Sequence, residues 1–62
     1  AERIISDLYN AYLSEPMMLP KHIQDLIKER SLERTICDYI AGMTDRYAIE
    51  EYTKLFDPIK LP

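Results

Sequence analysis

The stretch ICDYIAGMTDRYAIEEY, residues 36–52, holds the only cysteine and the only glycine of the chain, three of its five tyrosines and four carboxylates. Asp38 and Asp45 stand seven positions apart, two turns of one helix and about 10 Å along its axis. That is too far to share one metal ion and loose for a general acid working with a base. Glu50 and Glu51 are adjacent, so a helix sends them to different sides. They read as a solvated acidic face supported by pairs such as Glu50–Lys54. Cys37 has no histidine near it in sequence, because His22 falls on a different expected helix. A buried cysteine acting as a small apolar residue is the commoner case. With one cysteine and one histidine, neither an internal disulfide nor a Cys/His zinc site can be built within one chain. A single reduced cysteine suits a cytoplasmic compartment. There is no Gly-rich phosphate loop, His-Asp doublet or Ser-centred nucleophile motif. These residues do not describe a self-contained enzyme, and no cofactor site is expected within the chain.

Two further side chains carry a choice of readings. Arg34 and Asp38 are an i,i+4 pair, for which a surface ion pair of about 0.3–0.5 kcal/mol is the default. The functional alternative sets Arg34 against an anionic ligand or a facing subunit. Tyr39 lies on an apolar stripe and reads as a core tyrosine with its hydroxyl satisfied. The eight basic residues are dispersed and the net charge is -3, so there is no electrostatic signal for nucleic acid. No apolar stretch approaches the roughly 18 residues of a membrane span. The N-terminus, AERIISDLYN, has neither the basic-then-apolar layout of a signal peptide nor an initiator Met. A processed, trimmed or excised chain is expected.

These groups must be positioned by helices. One glycine, four prolines and no β-rich run point to an all-α chain, a small bundle of three to four helices over about 2–14, 20–30, 31–47 and 48–56. Ile4, Ile5, Leu8, Tyr9, Tyr12 and Leu13 recur at the spacing of one helix face, and Pro16 drives Glu15 out of the α region. Pro20 opens the second helix, whose stripe of Ile23, Leu26 and Ile27 is only two turns long. Ser31 offers the next N-cap, with Arg34 where a capping box would hold Glu or Gln. Leu32, Ile36, Tyr39, Ile40, Met43 and Tyr47 form one stripe. Beyond Tyr47 the phase slips to Ile49, Tyr52, Leu55 and Phe56, so Thr44 or Asp45 caps a new helix or the long helix bends. Gly42 weakens the helix by about 1 kcal/mol relative to Ala and reads as a point of close backbone approach. Asp57 and Pro58 end the last helix, and residues 59–62 read as a tail. Sixty-two residues make one domain at most. Such a chain buries only about 60% of its unfolded surface, so its stability must be completed by another chain or by more of the same one.

Family resemblance carries the reading further. DYIAGMTDRYAIEEYTKLF resembles the C-terminal signature of dGTPase-like deoxynucleoside triphosphate triphosphohydrolases, a branch of the HD superfamily. LYNAYLSEPMMLP resembles the family's aromatic-rich helix and its E/D-x-P-x-x-LP connector, and RTICDYIAGMTDRYA follows its R-x-x-x-DYIAGMTDR-[YF]-A. The resemblance covers residues 4–56 and implies a C-terminal fragment of a larger helical HD-type enzyme. That enzyme would hydrolyse a dNTP such as dGTP to the deoxynucleoside and triphosphate, using a divalent metal, Mg or Mn. The family holds its metal with a His, a His-Asp doublet and a further Asp, all upstream of this signature. None is present here, since His22 is followed by Ile23 and there is no second histidine. The implied partners are the remainder of the parent enzyme and sister subunits, with the dNTP bound through the parent. On this resemblance Gly42 marks a close helix crossing. Asp38, Tyr39, Thr44, Asp45 and Arg46 tie the helix to the rest of the enzyme, and Arg34 reaches toward phosphate or a subunit boundary. An alternative of another class is a free-standing helical interaction module that docks through Tyr9, Tyr12, Met17, Met18 and Leu19.

Overall fold

A computed structural model describes residues 2–56. The first helix, α1, spans Glu2–Ser14, the extent its periodicity predicts. Its i,i+4 row carries Leu8 and Tyr12 into the core, 0% and 1% exposed. The helix stops because Pro16 excludes α geometry from Glu15, which adopts φ -133 and ψ 77. Pro16–Met18 then makes one 3-10 turn. Gln24 closes this connector by donating from Nε2 to the carbonyls of Leu19 at 2.7 Å and Met17 at 3.2 Å.

Where one helix is expected over 20–30, the structure has a short helix α2, Lys21–Gln24, that tightens into a 3-10 stretch, Asp25–Lys28. An apolar stripe of two turns brings too little burial to sustain a longer α-helix. The tighter turn keeps Ile23 and Ile27 against the core. The next helix, α3, covers Leu32–Ala41 behind Ser31, whose hydroxyl accepts the Arg34 N–H at 3.1 Å. Thr35, Ile36 and Ile40 form its buried face.

The helix expected over 31–47 is divided at residues 42–44, and α4 spans Asp45–Phe56. The slip in apolar phase expected after Tyr47 is therefore this corner, placed earlier. Gly42 caps α3 with φ -86 and ψ -2, and the Thr44 hydroxyl accepts the Tyr47 N–H at 3.1 Å. A glycine that weakens continuation and a threonine that caps a restart together favour the break. Thr44→Ala is expected to lower unfolding free energy by about 1 kcal/mol, read as a lower urea midpoint that Thr44→Ser restores. A Cβ on Gly42 would meet only the carbonyl oxygens of Asp38 and Tyr39, both at 3.7 Å and both belonging to α3. The expected close crossing at Gly42 is thus not made by any described element.

The result is the small all-α bundle that the pattern predicts. The α1 helix lies against both α3 and α4, and Leu8, Tyr12, Leu19, Ile36, Ile40 and Ala48 form the core. Tyr52 also reaches from α4 to α1, donating to Asp7 Oδ2 at 3.4 Å. The expected helix end at Asp57 and Pro58 and the expected tail lie outside the described residues.

Candidate functional site

The sequence-predicted residues separate into two clusters. In the first, Asp38 Oδ2 accepts from Arg34 Nε at 3.2 Å, the expected i,i+4 contact, and from Arg30 Nη1 at 2.9 Å. Arg30 has no helical spacing to Asp38. It arrives because the chain turns back between the 3-10 stretch and α3, so periodicity alone does not reveal it. All three side chains are well exposed, at 43% for Arg30, 70% for Arg34 and 42% for Asp38. Each contact is worth about 1 kcal/mol or less. Two guanidinium groups on one carboxylate leave the patch with a positive excess.

The second cluster joins three helices through tyrosines. The hydroxyls of Tyr39 and Tyr47 are 2.8 Å apart. Tyr39 meets Tyr12 edge-on with ring centroids 5.7 Å apart, and Tyr47 at 6.4 Å. Tyr12 donates to Glu51 Oε1 at 3.4 Å, and Lys54 donates to Glu51 Oε2 at 3.0 Å. Lys54 therefore pairs with Glu51 where Glu50 was expected, while Glu50 faces Arg46 at 3.6 Å. The hydrogen bond to Glu51 raises the Lys54 pKa. Burial, then the charge of Glu51, pushes the Tyr12 hydroxyl up to about 12. Burial and the bond to Tyr47 raise Tyr39 as well.

An alkaline limit to stability follows. The ordinary tyrosine value is 10.0, so the fold favours the neutral Tyr12 phenol. That contribution is whole below the unfolded value and is lost as pH rises from there through about 12. Circular dichroism against pH should show helix loss across this interval. In Tyr12→Phe, which has no proton to release, the loss should be shallower.

Several expectations change at this level. Asp38 and Asp45 lie on different helices, so the two-turn separation along one axis does not apply. Asp45 sits in the first turn of α4, where a carboxylate is favoured by the helix dipole, beside a groove lined by Ile4, Ile5, Ala48 and Ile49. Cys37 is exposed, not buried. The inward positions around it are Thr35 and Ile36, at 1% and 0% exposure. Tyr12 and Leu19 are core residues and cannot present a docking face, whereas Met17 and Met18 are exposed. Arg46 is solvated beside Glu50.

Among the described residues no three His, Cys, Asp or Glu side chains come together as a metal site; Asp38 faces two arginines, and Glu51 faces Tyr12 and Lys54. The residues present do not fit a divalent ion. No helix among the described residues is long and apolar enough to cross a membrane.

The described residues form a small acidic bundle of helices joined by a polar tyrosine seam. The chain belongs to the phosphohydrolase-associated domain family, whose sequence profile matches residues 1–54. It is 45% identical over 58 residues to a deoxyguanosinetriphosphate triphosphohydrolase-like protein of Geobacter sulfurreducens, covering 94% of this chain and 15% of that protein. A protein of the same description from Azoarcus sp. is 48% identical over 56 residues, 90% of this chain and 14% of the relative. Deoxyguanosinetriphosphate triphosphohydrolase-like protein 1 of Deinococcus radiodurans is 42% identical over 55 residues, 89% of this chain and 15% of the relative. The chain therefore spans about 15% of the length of the curated relatives it matches. No solved structure matches it significantly.

Proposed function

We propose that this bundle is a structural segment of a metal-dependent dNTP triphosphohydrolase, with dGTP as the first substrate to test, and that it is inactive alone. The observation that carries the reading is the family match over residues 1–54 together with relatives described as deoxyguanosinetriphosphate triphosphohydrolase-like. In this reading the divalent ion, Mg or Mn, and the dNTP are held by the rest of the parent enzyme, in a cytoplasmic oligomer. Asp38, Tyr39, Thr44, Asp45 and Arg46 serve as polar ties. Gly42 accepts close approach only from an element outside this segment.

The test compares the full-length protein with the 62-residue chain for release of triphosphate and deoxyguanosine from dGTP, with Mg²⁺ or Mn²⁺. Activity of the full-length protein and none from the short chain is expected. Hydrolysis by the short chain, or release of pyrophosphate in place of triphosphate, would overturn the reading. The reading frame on either side of the segment tests which end of the enzyme it occupies. A His and a His-Asp doublet encoded upstream agree with the C-terminal position that the resemblance implies, and the same residues encoded downstream place the segment at the front.

Arg34 is the candidate for phosphate or a subunit boundary, because it is 70% exposed and its patch carries positive excess. Arg34→Ala in the full-length enzyme is expected to raise KM for dGTP or to shift the oligomer toward smaller species, by several-fold for a lost charge-assisted contact. Unchanged kinetics and unchanged native mass would remove Arg34 from the role.

A further inference from the structure

The outer side of the α1–α3 pair carries an open groove of about 410 Å³, lined by Ile5, Ser6, Tyr9, Cys37, Ile40 and Ala41. None of these six residues is charged. Ile40 forms a nearly buried floor at 8% exposure, while Ile5 stands 41% exposed at the rim. Cys37 is exposed beside them.

The walls have the form of a helix seat. Ile5 with Tyr9, and Cys37 with Ala41, are i,i+4 pairs on adjacent helices, the rows whose ridges and grooves accept a third helix. Ser6, Cys37 and Ala41 are small, so an incoming helix can settle at the short end of the usual 8–10 Å axis spacing. Left in water, the same wall would expose contiguous apolar surface at no gain.

We propose that this groove seats an apolar helix from the rest of the same polypeptide. The proposal rests on the reading of the chain as part of a larger hydrolase. The greater part of each relative lies outside the matched stretch, and a covalently tethered helix reaches the groove at high effective concentration. An uncharged wall offers no electrostatic means of choosing a separate partner.

Cys37 is a built-in reporter. In the native full-length protein, maleimide labelling of Cys37, located by peptide mass spectrometry, is expected to be about tenfold or more slower than in urea, because labelling must await local opening. Ala41→Glu in the same protein places a charge in the seat and should restore fast labelling, whereas Glu33→Lys on the exposed side of α3 should not. Equal native and urea rates for the unsubstituted protein would overturn the proposal. So would protection that vanishes on dilution to the monomer, since that assigns the cover to another subunit. If Cys37 is protected in a monomer that releases no triphosphate from any dNTP, the groove assignment stands and the hydrolase reading falls. Where Ala41→Glu does not fold, the native-to-urea ratio of the unsubstituted protein decides.

Discussion

Ile36→Ala is expected to remove about 2–5 kcal/mol of unfolding free energy. Ile36 is 0% exposed and belongs to the α3 face that packs with α1 residues in the core. Deleting its branched end both forfeits transfer free energy and leaves a cavity, because the surrounding Leu8, Tyr12 and Ile40 belong to separate turns and collapse only partly. A domain of this size sits at the low end of the usual 5–15 kcal/mol, so the loss is comparable with its whole stability. Urea titration followed by helical circular dichroism should show the transition shifted strongly toward zero denaturant, or absent. Ile36→Val, which keeps the shape and drops one methylene, should cost about 0.5–1.5 kcal/mol. Equal, small losses for both variants would mean that Ile36 is not in a packed interior.

The second expected result has the opposite sign. Thr35→Val should stabilise the fold by about 1–3 kcal/mol, the usual cost of a buried polar group without a partner. Thr35 is 1% exposed, and its Oγ1 finds no hydrogen-bond partner among the described residues. Valine keeps the β-branched outline and a similar helix propensity, so the exchange removes the hydroxyl while preserving the packing. The measurement is the urea midpoint of the variant against the parent sequence, with the slope of the transition compared. A lowered midpoint would show that the hydroxyl is bonded in solution. Repeating the pair of measurements in the full-length protein would reveal whether a group outside this segment supplies the partner.

Particular residues show how far the sequence could be read. The extent of α1 is legible because Pro16 acts locally, on the residue before it. The Ser31 cap of α3 and the Arg34–Asp38 pair are legible for the same reason, each being a contact between residues three or four apart. The break at residues 42–44 is half legible: glycine, threonine and the change of phase were all visible, but a slip in a stripe locates a corner only to within a turn. Arg30 at Asp38 and the exposure of Cys37 are not legible, because each depends on how one segment meets another. Glu51 and Lys54 share α4 at i,i+3, and spacing alone does not choose between Glu50 and Glu51 as the partner of Lys54.

The sequence by itself determined the helical class, the first helix and its stop, and the resemblance to dGTPase-like hydrolases through the run DYIAGMTD. Those follow from near-neighbour geometry, from periodicity and from an unusual residue order. Only the tertiary structure decided which face of α3 turns inward, burying Thr35 and exposing Cys37. It also decided that tyrosines from α1, α3 and α4 meet in one seam, and that an uncharged groove stays open along α1 and α3. Helix crossing is set by how side chains from distant segments interlock, and no window of sequence contains both halves of that contact.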